Sequence, residues 1–136
     1  MSVVLDASIT LAWALADELT PAVGTVFANV QASGGWVPGL WRLEVANVLE
    51  LNVRRGRHPA AIRDETLADL SQMPIRLDAE TDRHAWGETL RLAQVHRLTS
   101  YDAAYLELAM RRRLPLATLD ADLRKAASAE GVTVLG

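Results

Sequence analysis

Apolar and polar positions follow two rhythms along this chain, and the changes of rhythm mark its elements. Val3-Val4-Leu5 is a short apolar run ending at Asp6, the pattern of a strand buried in a parallel sheet. Helical spacing follows through Leu11, Ala12, Leu15 and Ala16. Thr20-Pro21 supplies an N-cap and a first-turn proline for a second helix, expected to end near Gly34-Gly35. Trp36-Val37-Pro38 is strand-like. Leu40 to Arg55 carries the best helical pattern, with Leu40, Leu43, Val48 and Leu51 as its apolar stripe and Gly56 as its stop. A helix is expected from His58-Pro59 to about Ser71, a strand over Pro74-Ile75-Arg76-Leu77, and one helix from a cap at Asp78 to about Val95. Thr99-Ser100-Tyr101-Asp102 opens another helix, which closes in the run Arg111 to Arg113. Leu114 to Thr118 is strand-like and feeds Asp120, Leu123 to Ala129 is helical, and Val132 to Leu135 is a last short strand.

Short strands alternating with helices predict an α/β sandwich around a parallel sheet. Half of the 136 residues are hydrophobic, enough for one core, and no repeat or linker divides residues 1-136. A single domain is expected.

Composition narrows the chemistry. There are no cysteines, which excludes disulfides, thiolate metal sites and cysteine nucleophiles. His58, His84 and His96 are scattered, without ligand spacing. The N-terminal segment lacks the basic and long apolar regions of a signal peptide, and no apolar run is long enough to span a bilayer, so a cytoplasmic location without a membrane is expected. Net charge is −3, but the arginines are grouped: Arg54, Arg55 and Arg57 in one cluster, Arg111, Arg112 and Arg113 in another. Such clusters could contact RNA phosphates around an acidic centre, or could simply favour helix C-termini.

The acidic residues carry the strongest chemical signal. Asp6, Asp102 and Asp120 each stand where a strand-like or apolar segment turns into a helix. In open α/β sheets such positions converge beyond the carboxyl ends of the strands. Each alone is also an ordinary helix cap. Glu44 differs, because its helical neighbours Leu40, Trp41, Asn47 and Val48 are mostly apolar. Its charge calls for a cation or a hydrogen bond, with Asn47 one turn on as a possible donor, unless it sits at the edge of the stripe and reaches solvent. Carboxylates gathered together repel one another, and an all-oxygen set suits a hard cation, Mg²⁺ or Mn²⁺. Such ions serve phosphate chemistry.

The segments around these acids resemble the four motifs of PIN-domain proteins. They are Leu5-Asp6-Ala7-Ser8 with Trp13 and Glu18, followed by Pro38 to Leu49 around Glu44; Leu98 to Leu106 around Asp102; and Leu116 to Leu123 around Asp120. Their order and span are similar to VapC toxins of toxin–antitoxin pairs. The resemblance implies a PIN-like three-layer α/β/α sandwich and an endoribonuclease using Mg²⁺ or Mn²⁺. Its acidic quartet falls on Asp6, Glu44, Asp102 and Asp120. Asp6, Asp102 and Asp120 would hold the ion, with Asp122 as a further candidate, while Ser8 and Thr118 support the site. It also implies water attack on phosphorus leaving 5′-phosphate and 3′-hydroxyl ends, a homodimer, and a VapB-like antitoxin in a toxin–antitoxin hetero-oligomer. Trp13, Leu15 and Leu19 are the expected antitoxin contacts.

Three other readings remain open on the residues themselves. A PIN-fold RNA- or protein-binding module without catalysis would also keep the acids. A receiver-like Mg-binding signalling domain would want paired acids after the first strand and a lysine near the site, whereas Ala7 and Ser8 follow Asp6 and the sole lysine is Lys125. A dehalogenase-type phosphatase would want an aspartate where Ser8 stands.

Overall fold

The computed structural model describes all 136 residues. Five strands, β1 (Val3–Leu5), β2 (Gly35–Val37), β3 (Ile75–Leu77), β4 (Leu116–Ala117) and β5 (Val134–Leu135), form one sheet in the order β3-β2-β1-β4-β5, with every pair parallel. The helices are α1 (Ala7–Ala14), α2 (Pro21–Ser33), α3 (Trp41–Arg54), α4 (Ala60–Ser71), α5 (Thr81–His84), α6 (Glu88–His96), α7 (Ser100–Arg112) and α8 (Ala121–Ala129). They pack as two groups in the expected α/β/α sandwich: α1 joins α2 and α3, with α4 beyond α3, while α5, α6 and α8 gather around α7.

The central strand shows why the sheet forms where it does. Val3, Val4 and Leu5 are all fully buried, so this run is covered on both faces as a parallel strand requires. Neighbours β2 and β4 lie on either side of β1, and the chain order reverses there. This places a topological switch point at the carboxyl ends of β1 and β4, where ligands bind in sheets of this kind.

Local signals set most of the helix ends. Thr20 caps α2 through Val23 N–H, with Pro21 in the first turn. Thr99 caps α7 through Asp102 N–H, and Arg113 ends it in the left-handed conformation. Two expectations fail. The helix expected from Asp78 to Val95 is broken at Gly87, whose backbone leaves the helical region (φ −110°, ψ −107°), so α5 and α6 are separate. The stripe expected on α3 is also displaced: Trp41, Val45, Leu49 and Asn52 are buried, whereas Leu43 and Val48 are exposed. Both faces carry apolar residues at helical spacing, and the packing against α1 and α4 selects the first.

Asp78 does not cap a helix. Its buried carboxylate accepts hydrogen bonds from Arg111 Nη2 (2.7 Å) and from Thr81 Oγ1 (3.1 Å). Arg111 also bonds Glu107 through Nε (2.7 Å), and the Arg112 guanidinium lies 3.5 Å over the Trp36 ring. Burial acts to raise the Asp78 carboxyl, but the bonds from Arg111 and Thr81 outweigh it and hold it below its ordinary value. The network therefore stabilises the fold above the usual aspartate pKa, and that contribution fades as pH falls through the lowered one.

Arg111→Ala would strip this buried carboxylate of its main counter-charge. The expected cost is about 3 kcal/mol, read as a lower urea midpoint at unchanged slope and shrinking in acid. A loss that does not change with pH would contradict the ion-pair account.

Candidate metal centre

Asp6 immediately follows β1, and Thr118 and Asp120 follow β4. The pairing of Leu5 with Ala117 continues as Asp6 N–H bonding Ala117 C=O (3.2 Å), which brings Asp6 beside Thr118. Asp6 Oδ1 accepts hydrogen bonds from Ser8 Oγ (2.7 Å) and Ile9 N–H (3.0 Å), and Oδ2 accepts one from the Thr118 hydroxyl. Ser8 Oγ in turn accepts from Leu119 N–H (3.1 Å), and Thr118 Oγ1 from Asp120 N–H (3.1 Å). The two hydroxyls thus lock the end of β1 to the turn after β4. Thr10 extends the lock, bonding Asp6 C=O and accepting from the Trp41 indole of α3 (3.1 Å).

Asp120 caps α8 by accepting from Leu123 N–H through Oδ1 (2.8 Å). Asp6 caps α1 in the same way. Asp102 does not cap α7, because Thr99 takes that role and leaves its carboxylate facing the other acids. Glu44 lies in the first turn of α3. Four helix N-termini therefore point their positive ends at one acidic cluster.

The charges of these acids act on one another. The Asp102 carboxyl is pushed up to about 6 by burial first, then by the negative charges of Asp120, Glu44 and Asp6, which the Thr99 hydroxyl offsets only in part. Asp6 is raised as well, chiefly by burial, against the hydrogen bonds from Thr118, Ile9 and Ser8. Asp122, exposed on the first turn of α8, is not among the charges that raise either group. Its place suits the helix dipole.

Tyr105 is the residue that sequence reasoning missed. It lies three residues after Asp102 on the same face of α7, fully buried, and its hydroxyl donates to Glu44 Oε1 (2.5 Å). Burial, then the bond to Glu44, raises the phenol far above its ordinary value, so it stays a donor. Asn47 is exposed and does not serve Glu44. The spacing from Asp102 to Tyr105 was the available signal.

The arginine clusters lie elsewhere. Arg54 is ten residues along α3 from Glu44, about 15 Å by helical rise, and pairs with Glu50 at 3.3 Å. Arg55 and Arg57 are exposed beyond it. Arg111 is engaged by Asp78 and Glu107, and Arg112 by Trp36 and, at 3.4 Å, by Asp78. Of the expected antitoxin contacts, Leu15 is buried and Trp13 stacks on Phe27 at 4.7 Å, while Leu19 is exposed.

No three acidic or histidine side chains converge closely enough to ligate one ion directly. The donor set nevertheless fits Mg²⁺ or Mn²⁺, which take one or two carboxylates and complete their shell with water. A dication would also relieve the repulsion that raises Asp102.

In the metal-free protein that repulsion opposes folding. Because the folded-state pKa of Asp102 lies above the unfolded value, stability falls as pH rises from about 4 to 6. Asp102→Asn should remove part of this slope and gain about 1–2 kcal/mol at pH 7.5, a figure reduced for partial exposure. Urea unfolding with chelator present checks it, and a less stable variant would count against a repulsive cluster.

A family model described as "PIN domain" matches residues 3–129. Among solved structures, the chain is similar to PAE2754 from Pyrobaculum aerophilum at 25% identity and a TM-score of 0.71, covering 98% of this chain and 83% of that one. It is also similar in fold to FitAcB from Neisseria gonorrhoeae at 16% identity and a TM-score of 0.64, covering 98% of this chain and 96% of that one. No curated protein matches.

Proposed function

The chain belongs to the PIN-domain family, and from that premise we propose that it is a Mg²⁺- or Mn²⁺-dependent endoribonuclease acting as the toxin of a toxin–antitoxin pair. The observation that carries this reading is that Asp6 and Asp120 stand at adjacent strand ends at the switch point of the sheet, with Glu44 and Asp102 in helix first turns close enough to act on them. Capping alone does not account for Asp102, since Thr99 already caps its helix.

Asp6, Asp102 and Asp120 hold the ion in this account, directly or through water. The bound ion supplies charge for the phosphoryl oxygens and lowers the pKa of a water nucleophile. Thr118 and Ser8 hold Asp6 in place and favour its charged form against burial, since both donate to its oxygens. Tyr105 holds Glu44 from one side, leaving its other oxygen to orient the attacking water. Water as nucleophile leaves 5′-phosphate and 3′-hydroxyl ends, and the ribose 2′-hydroxyl takes no part in the bond change.

The VapC resemblance extends the proposal to a homodimer and a VapB-like antitoxin that closes the acidic groove. An antitoxin arginine among the carboxylates would compete with the metal for the same charge. Leu19 is the member of the proposed contact set that is free to meet such a partner. Arg54, Arg55 and Arg57 are left as contacts for RNA running well beyond the cut.

The purified chain should cleave RNA with Mg²⁺ or Mn²⁺ and stop when chelator is added. Asp120→Asn should lower kcat by about 10²–10³-fold with the fold retained by circular dichroism. Cleavage that persists in excess chelator would contradict the metal mechanism. Tyr105→Phe should cost about 10-fold, the range of supporting residues around a metal. An unchanged rate would leave Tyr105 a packing residue only.

A further inference from the structure

The carboxyl ends of β4 and β5 are bridged by an arginine that the acidic cluster does not account for. Arg124 lies early in α8, four residues after Asp120. Its Nη1 donates to Thr118 C=O (2.8 Å) and, at longer range, to Leu135 C=O (3.5 Å) and Gly136 O (3.4 Å). Thr118 is also the residue whose hydroxyl bonds Asp6 and accepts from Asp120 N–H. One residue therefore holds Asp6 by its side chain and Arg124 by its carbonyl.

This guanidinium is fixed without being neutralised. Asp120, one helical turn earlier, is the carboxylate best placed to pair with it. Asp120 instead caps α8 at Leu123 N–H, and Arg124 forms no ion pair. Carbonyl dipoles set the position of the guanidinium and leave its full charge. Its Nε and Nη2 have no partner in the protein, and neither is sealed from solvent. These two nitrogens form an edge that can grip an anion through two parallel bonds. Arg111 uses the same edge on Glu107, with Nε at 2.7 Å and Nη2 at 3.1 Å. In Arg124 that edge is unpaired.

An anion presenting two oxygens suits this edge, and RNA supplies one at every linkage. We propose that Arg124 holds, through Nε and Nη2, the non-bridging oxygens of a phosphate flanking the scissile one. Thr118 separates Arg124 from Asp6, so the group it meets is the neighbouring phosphate and not the one under attack. The anchoring carbonyls preset the fork, and little side-chain freedom is lost when a phosphate arrives. The inference rests on the nuclease reading of the carboxylates and adds a substrate-binding residue to it.

Binding is read apart from cleavage. Asp102→Asn protein with Mg²⁺ is titrated with a fluorescein-labelled single-stranded oligoribonucleotide of mixed sequence over a range of salt concentrations. Adding Arg124→Gln should weaken binding about 10-fold, the loss of hydrogen bonds to a charged group. The slope of log affinity against log salt should become shallower by about 0.7, one phosphate contact on a single strand. Arg124→Lys keeps the charge and a donor for Thr118 but lacks the fork. It should keep the salt slope and bind several-fold more weakly than the parent. If Arg124→Gln loses its fold by circular dichroism, the lysine variant decides. A salt slope unchanged by a folded Arg124→Gln would overturn the proposal, as would Arg124→Lys binding as tightly as the parent. Weaker Mn²⁺ binding by Arg124→Gln with that slope unchanged would make Arg124 a support for Thr118 alone. Cleavage by the unaltered chain with a slope independent of Arg124 removes the phosphate contact and keeps the nuclease. A slope that depends on Arg124 without any cleavage removes the nuclease reading and keeps the contact.

Discussion

Repulsion among carboxylates at the carboxyl ends of the central strands is the constraint around which this domain is arranged. Four acids at the ends of separate elements would drive those elements apart in water. The fold opposes this with the positive ends of α1, α3, α7 and α8, and with hydroxyls from Ser8, Thr118 and Tyr105 that bond the carboxylates directly. Asp102 is the acid that these devices serve least, and its carboxyl is the one pushed furthest up. A site that leaves one charge poorly compensated is poised to accept a cation.

The topology makes the convergence possible. Because β1 is central and flanked by β2 and β4, the chain can deliver Asp6 and Asp120 to adjacent strand ends from positions more than a hundred residues apart. The short, fully buried β1 cannot slip without exposing its apolar residues, so the position of Asp6 is fixed by packing. Glu44 and Asp102 come from first turns of helices, and the Trp41–Thr10 bond ties the first turn of α3 to the start of α1. The Asp78–Arg111 network braces α7 from its far end.

Much of this was legible in the sequence, for physical reasons that also explain the misses. Strand ends followed by Asp, and caps such as Thr20-Pro21, are local signals, so the acidic positions and most elements could be read directly. What depended on tertiary choice was not legible. Both faces of α3 carry apolar residues, and only packing selects Trp41, Val45 and Leu49 over Leu43 and Val48. Arg111 and Arg112 looked like free cations because their partner, Asp78, lies over thirty residues away. Tyr105 looked like core, and it is core, yet its hydroxyl reaches Glu44 across sixty-one positions. Gly87 gave a local hint of a helix break that the apolar pattern around it obscured.

The central claim is that these acids share one hard divalent ion. Manganese binding followed by electron paramagnetic resonance tests it most directly, since free and bound Mn²⁺ give distinct signals without any substrate. The account predicts a saturable site in the unaltered protein, displaced by Mg²⁺, that is lost in an Asp6→Asn, Asp120→Asn double variant that remains folded. Equal Mn²⁺ binding by the unaltered and double-variant chains would contradict it.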